Sequence, residues 1–341
     1  MSSSLASEEN TINHTPFFLI VLVGLALIFD FLNGFIGSSS IVATVISSRA
    51  MSPRKALAMT AAAEFVGPFL FGVAVAMTLG DELLDLAAMN PAAVLVAISA
   101  AILWSLFTWY SGLPSSTSHA LVGGLVGAAV AAGGPSALYL TGLQKVAIAL
   151  FLSPLLGMLF SHLALKTLYF LLRGATPSVN TLFKRLQIVT ALVLALSHSA
   201  NDAQKAMGVI AMSMVVTGYA ARFYIPWWSI ALCASAIALG TAVGGWRLIK
   251  TLGAKFYKIR PVHAFGSQLT SAVVILGAGL LGGPVSSTHV ISSAIVGAGS
   301  ADRISKVRWN AVRDMGLAWL LTIPLSALLA VALYQIVSRF V

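Results

Sequence analysis

Charge is scarce in this chain: Asp, Glu, Lys and Arg together make up 9% of its 341 residues, and the acidic side chains number only 10 against 20 basic ones. Soluble domains carry about a quarter of their residues as charges, so a water-soluble globular fold is excluded. A single cysteine, Cys233, lies in an apolar run, which removes a disulfide framework and a thiolate metal site together. No nucleotide-binding loop is present, and the His, Ser and Asp residues come without a nucleophile elbow or metal-ligand spacing, which argues against ATP-driven pumping and against an enzyme. The first sixteen residues carry Glu8 and Glu9 but no basic n-region, and no small-residue cleavage site follows, so no cleaved signal peptide is expected.

What remains is hydrocarbon. The chain is 58% hydrophobic with a mean hydropathy of +0.94. Apolar stretches at 17–36, 56–80, 91–110, 143–172, 226–246 and 313–340 approach or exceed the roughly 20 residues that cross ~30 Å of lipid as a helix. Helices rather than a barrel are expected. The net charge of +10 would suggest nucleic acid in a soluble protein; here the basic residues sit in short loops between apolar spans, as the positive-inside rule describes, and no nucleic-acid partner is expected.

The chain echoes itself. NGFIGSSSIVATVI at 33–46 is answered by SHSANDAQKAMGVI at 197–210, and PSSTSH at 114–119 by PVSSTH at 284–289, in the same order. This predicts a polar tail at 1–16, a first transmembrane repeat at 17–172, a basic cytoplasmic linker at 173–185 and a second repeat at 186–341. The loop after the second span is acidic in the first half (Asp81, Glu82, Asp85) and basic in the second (Arg247, Lys250, Lys255, Lys258, Arg260), which is the sign change an inverted repeat requires. Five crossings per half with the N-terminus outside put fifteen of the twenty Lys and Arg on the cytoplasmic face.

Polar breaks inside membrane spans are tolerated only where they line a cavity or pack on protein. Four are expected: the NGFIGSSS and SHSANDAQK segments and the two proline-led segments, in which Pro114 or Pro284 ends one helix and a hydroxyl run opens the next (Ser115, Ser116, Thr117, Ser118; Ser286, Ser287, Thr288). A helix N-terminus supplies unpaired N–H groups and positive dipole, with hydroxyl donors beside them, the chemistry a phosphate or sulfate oxygen needs. Helix capping is the plainer reading of a lone Ser pair; two matched copies favour a site. Intramembrane ionisable groups are costly unless partnered, which singles out Asp30 with Asn33, Glu64, and the Asn201-Asp202-Ala203-Gln204-Lys205 stretch. Asp202 suits a cation; Lys205 suits either Asp202 or an anionic substrate; Asp30 and Glu64 are candidate coupling carboxylates or structural partners. His119, His289 and His198 fit either a site or a carbonyl-bonded core position, and Arg222, Trp227 and Trp228 fit interfacial anchors.

These residues resemble the inorganic phosphate transporter (PiT) family from about residue 17 to the C-terminus. FDFLNGFIGSSSIVATVISSRAMSPR at 29–54 parallels the family's F-D-F-x-N-G-F-H-D-A-A-N-A-I-A-T-V and S-x-R-A-x-S-P-R; SHSANDAQKAMG at 197–208 parallels S-H-G-A-N-D-A-Q-K-x-M-G; GGWR at 244–247, RPV at 260–262 and PVSSTHVIS at 284–292 follow. The resemblance implies an all-α polytopic membrane protein, an inverted-repeat secondary transporter with discontinuous helices and re-entrant hairpins. It implies uptake of inorganic phosphate by sodium or proton symport with alternating access, without a cofactor. By position, Ser115, Ser116, Thr117, Ser286, Ser287 and Thr288 would hold the substrate, with Asn33, Asn201 and Asp202 completing the substrate and cation sites, Asp202 and Asn201 as sodium ligands. The sequence departs from the family at Ile36, Gly37 and Ser40, where His-Asp and Asn are usual, and at Gln268, where glutamate is common; two carboxylates that would offset a co-transported cation are absent. The alternatives are a permease for sulfate or another tetrahedral oxyanion, and a phosphate-binding sensor that moves nothing. A multi-pass protein of the prokaryotic inner membrane is expected, with inorganic phosphate and the bilayer as partners and a homodimer as candidate assembly.

Overall fold

The computed structural model describes residues 2–113, 115–245 and 259–339. Its first half contains α1 (Ser2–Ser47), α2 (Pro53–Leu70), the short α3 (Ala74–Met77), α4 (Pro91–Tyr110), α5 (Thr117–Gly133) and α6 (Leu140–Leu171). The second contains α7 (Val179–Val216), α8 (Trp227–Val243), α9 (Pro261–Leu280), α10 (Ser287–Asp302) and α11 (Trp309–Val337). Six helices are long and apolar enough to cross a bilayer, namely α1 from Pro16, α4, α6, α7, α9 and α11; α2 with the segment Ala74–Glu82, bent by 70° at the break, makes a seventh. The chain is therefore an all-helical membrane protein. Ten full-length crossings were expected, but α5, α8 and α10 span only 17, 17 and 16 residues. Two of them, α5 and α10, start at buried serines in the protein interior. The basic loop residues Arg247, Lys250, Lys255 and Lys258, and Pro114, lie outside the described residues.

Two of the four expected breaks are absent. Helix α1 runs unbroken through NGFIGSSS and α7 through SHSANDAQK. The hydroxyls explain it: Ser38 and Ser39 donate to the carbonyls of Phe35 and Ile36, and Ser197 and Ser199 to those of Val193 and Ala195, so the polar side chains are satisfied by their own helix without opening it. The proline-led breaks are real, but the preceding helices stop short of the prolines. Gly112 (φ 69°) and Gly282 (φ 75°) adopt the left-handed conformation just past α4 and α9, a conformation glycine takes without a steric penalty.

Packing interleaves the halves. Helix α5 lies against α11 and α4, and α10 against α6 and α9; α1 lies against α8 and α7, and α2 against α7 and α8. Helices α1 and α7 run antiparallel, since Gly37 abuts His198 while Ser48, further along α1, meets Gln187, further back on α7. Close approach relies on missing side chains: a Cβ on Gly34 or Gly240 would collide with the backbone of Ile237 or Phe31 at the α1–α8 crossing, and one on Gly127 or Gly297 with that of Ala327 or Met158. Small residues at such crossings let helices in lipid gain van der Waals contact and Cα–H contacts that larger ones forbid.

Gly240→Val is expected to lower the melting temperature of the detergent-solubilised protein by several degrees, overpacking a core costing about 1–3 kcal/mol. Gly277, where a Cβ meets nothing within 4 Å, serves as control: Gly277→Ala should leave melting unchanged or slightly raised.

Candidate functional site

A chain of buried ionisable groups crosses the centre of the bundle. Helix spacing puts His198, Asp202 and Lys205 on one face of α7, since residues three and four apart share a face. His198 Nε2 lies 2.9 Å from Asp202 Oδ2, and its Nδ1 lies 2.8 Å from Glu64 Oε1, which α2 delivers. Thr241 of α8 donates to the other oxygen of Glu64. The His198–Glu64 contact lies at ion-pair distance without the geometry of a hydrogen bond. Lys205 forms an ion pair with Asp202 Oδ1, and its ammonium also donates to Ser118 Oγ (2.6 Å) and the Val285 carbonyl (2.9 Å). All three ammonium protons are thereby used. Ser287 donates to Asp202 Oδ2 at 2.7 Å. Glu64, His198, Asp202 and Lys205 are each at most 4% exposed.

The two hydroxyl runs converge on this chain. Ser116 caps α5 by accepting from the His119 amide at 3.1 Å, and Ser286 caps α10 by accepting from the His289 amide at 3.3 Å. The rings of His119 and His289 lie 4.4 Å apart, and His289 stacks on Trp319 at 3.9 Å. Ser118 Oγ donates to the Val285 carbonyl, joining the start of α5 to the residue before α10. Two buried helix N-termini thus meet with a fixed ammonium between them, an arrangement that favours a small anion. A cavity of about 530 Å³ on the far side of the histidines is lined mainly by apolar groups such as Leu150, Phe151, Leu155 and Met158. It offers few donors, so the anion chemistry belongs to the helix termini.

Of the residues singled out in the sequence, Asp202, Lys205, Ser287 and Glu64 come together directly. Ser115 pairs with Thr322 (3.1 Å) rather than with the charged chain, and Thr117 and Thr288 are half-buried at the first turns of α5 and α10. Asn201 donates to the Gly283 carbonyl at 3.1 Å, leaving its Oδ1 buried and without a partner. Asp30 accepts from Asn33 at 3.2 Å and stays a neighbour of Glu64, Asp202 and His198 without touching them. Of the other participants, His198 was left between a site and a core position, although it lies four residues before Asp202; Ser118 was named only within its hydroxyl run; and Thr241, whose role depends on how α8 packs, was not singled out. Beyond His198, a polar ladder runs between α1, α7 and α9. Gln268 accepts from Thr190 and donates to Thr44, both at 2.7 Å, and Ser48 donates to Gln187 at 2.8 Å.

Sodium is the cation the sequence assigned to Asp202 and Asn201. Both Asp202 oxygens are taken by Lys205, His198 and Ser287, and the buried oxygens left without a hydrogen-bond partner include Asn201 Oδ1, Asp30 Oδ2, Asn33 Oδ1 and Glu64 Oε1, the hard donors a small cation takes.

A bundle of membrane-crossing helices with a partnered charge chain at its centre and paired helix N-termini beside it defines a membrane transporter rather than an enzyme. The phosphate transporter family profile matches residues 33–330, and the chain belongs to that family. It is 41% identical over 318 residues, 93% of this chain and 95% of the relative, to a Rhizobium meliloti (strain 1021) protein named "Probable low-affinity inorganic phosphate transporter". A Bacillus subtilis (strain 168) protein of the same name is 40% identical, with 94% and 97% covered. A solved structure titled "The sodium-dependent phosphate transporter" superposes with a TM-score of 0.86 over 95% of this chain and all of the other, at 24% identity, which establishes the fold.

Removing one member of the central ion pair leaves a buried charge. Lys205→Met is expected to destabilise the purified protein by about 3–5 kcal/mol, and the double variant Asp202→Asn/Lys205→Met to recover most of that loss, read as melting temperature in detergent.

Proposed function

We propose that this chain takes up inorganic phosphate as a cation-coupled secondary transporter with alternating access, in the inner membrane of a prokaryote. The observation that carries the reading is the Lys205 ammonium held between Ser118 of α5 and the Val285 carbonyl before α10. An anion placed there meets hydroxyls, helix N-termini and positive charge from both halves of the chain. Ser115, Ser116, Thr117, Ser286, Ser287 and Thr288 line the anion side; Asn33 and Asn201 contribute amides; Asp202, Asp30 and Glu64 supply the compensating negative charge through which a coupled cation acts.

The paired packing of the halves and the antiparallel course of α1 and α7 support an inverted repeat whose halves rock about the central charges. The same course puts the end of α1, followed by Arg49, Arg54 and Lys55, beside the start of α7 with Lys184 and Arg185, one basic face that suits the cytoplasm. The names of the relatives favour phosphate over sulfate.

In proteoliposomes, Ser116→Ala and Ser287→Ala should each raise the KM for phosphate about tenfold, the scale of one lost hydrogen bond to a charged group. An unchanged KM in both variants would remove the helix-terminus site. Purified protein that binds phosphate yet moves none would make it a sensor.

A further inference from the structure

We propose that the groove between α6, α10 and α11 binds one anionic phospholipid, with an acyl chain in the groove and the phosphodiester on Arg313. This goes beyond the transport reading and lies apart from the central charges. The groove is the apolar cavity of about 530 Å³ behind the histidines, a size within the roughly 300–1,000 Å³ of small-molecule sites. Leu155 of α6 and Leu320 of α11 line it and are exposed, so it opens sideways into hydrocarbon. Its inner end is closed by the buried His119 and His289 rings and by Trp319, which stacks on His289. From Arg313 to Leu320 the lining of α11 covers about 10 Å, against ~15 Å of hydrocarbon in one leaflet. A lipid tail fits that depth. Midway along it, a Cβ on Gly316 would meet nothing within 4 Å, so the helix leaves open space where the tail would lie.

Charge decides which lipid. Arg260 joins Asp302, the last residue of α10, at 3.0 Å and Tyr169, near the end of α6, at 3.2 Å. The ends of α6 and α10 therefore lie together, and α6 leads through Arg173 to the start of α7, on the basic face. Helix α11 begins on that face at Trp309, so Arg313, one turn in, stands where headgroups meet hydrocarbon. Trp309, on the same stripe of the helix, is exposed, as an interfacial aromatic is. The Arg313 side chain is 72% exposed and its contact with Asp314 measures 3.6 Å, beyond hydrogen-bond length, so its planar fork of donors remains open to a phosphate. Basic pockets between helices on the cytoplasmic side take anionic headgroups in this way. A second groove, about 640 Å³ between α6 and α9, supplies the contrast: Glu82 holds the Lys145 ammonium at its edge at 2.8 Å, and a headgroup there finds a cation already neutralised.

The test follows melting of the full chain in detergent while dioleoyl phosphatidylglycerol or, separately, dioleoyl phosphatidylcholine is added. The anionic lipid is expected to raise the wild-type melting temperature by at least about 3 °C more than the zwitterionic one, and a smaller difference overturns the proposal. Arg313→Gln should remove at least about half of that difference, and so should Gly316→Phe, which places a ring in the groove. A difference that Arg313→Gln keeps at more than about half its wild-type size also overturns the proposal. Where Gly316→Phe does not fold, Arg313→Gln, at an exposed position, decides alone. Light scattering gives the rival occupant its own outcome: a wild-type dimer that Gly316→Phe splits into monomers assigns the groove to a second copy of the chain and overturns the lipid. No arm measures phosphate movement, so failure here leaves the transport reading standing.

Discussion

A charge in the low-dielectric interior of a membrane protein must be partnered, and the whole centre of this molecule is organised around one such partnership, Asp202 with Lys205. Each end of the pair recruits groups from other helices. The carboxylate takes Ser287 and His198, and the imidazole in turn takes Glu64. The ammonium takes Ser118 and the Val285 carbonyl. Five helices, α1, α2, α5, α8 and α10, are thereby positioned relative to α7 by contacts with that chain or its immediate neighbours, including Gly37 against the His198 ring.

The interleaving of the halves follows from the same constraint. Helices α5 and α10 are too short to bury their polar starts alone, and each leans on a long helix of the opposite half, α11 or α6. The glycines at these crossings permit backbone contact at distances that any Cβ would forbid. Association in lipid rests on such packing, because hydrocarbon provides no hydrophobic drive between helices. Neither half could close the site alone: Lys205 and Asp202 come from the second, while Ser118 and Glu64 come from the first.

The fold class was legible because sustained hydropathy leaves few alternatives, and the Asp202–Lys205 pair was legible from its i,i+3 spacing. Two of the expected breaks were misread for a physical reason: Ser38, Ser39, Ser197 and Ser199 look like helix breakers in composition, yet their hydroxyls return to carbonyls three or four residues back and leave the helix whole. The proline-led breaks were found, though Gly112 and Gly282, not the prolines, set where α4 and α9 end. Thr241 carried no local signal, and Ser118 stood out only as one of a hydroxyl run, since the partners of both lie on other helices. The missing side chain at Gly37 could be seen, but that His198 would occupy its space depended on the antiparallel course of α1 and α7.

The ladder of Thr44, Gln268, Thr190, Gln187 and Ser48 has a mechanical meaning. At the opposite end of α7, Met207, Val209 and Ile210 belong with Val75, Ala76 and Leu79 to one dry core. Separating α1 and α7 at the ladder exchanges a few hydrogen bonds, each worth about 1 kcal/mol net, for equivalents with water. Separation at the dry end wets packed hydrocarbon, at about 25 cal/mol for every Å² exposed. The two ends of α7 are therefore held by unlike forces: hydrogen bonds that water can replace at one, and packed hydrocarbon that water wets only at a loss at the other.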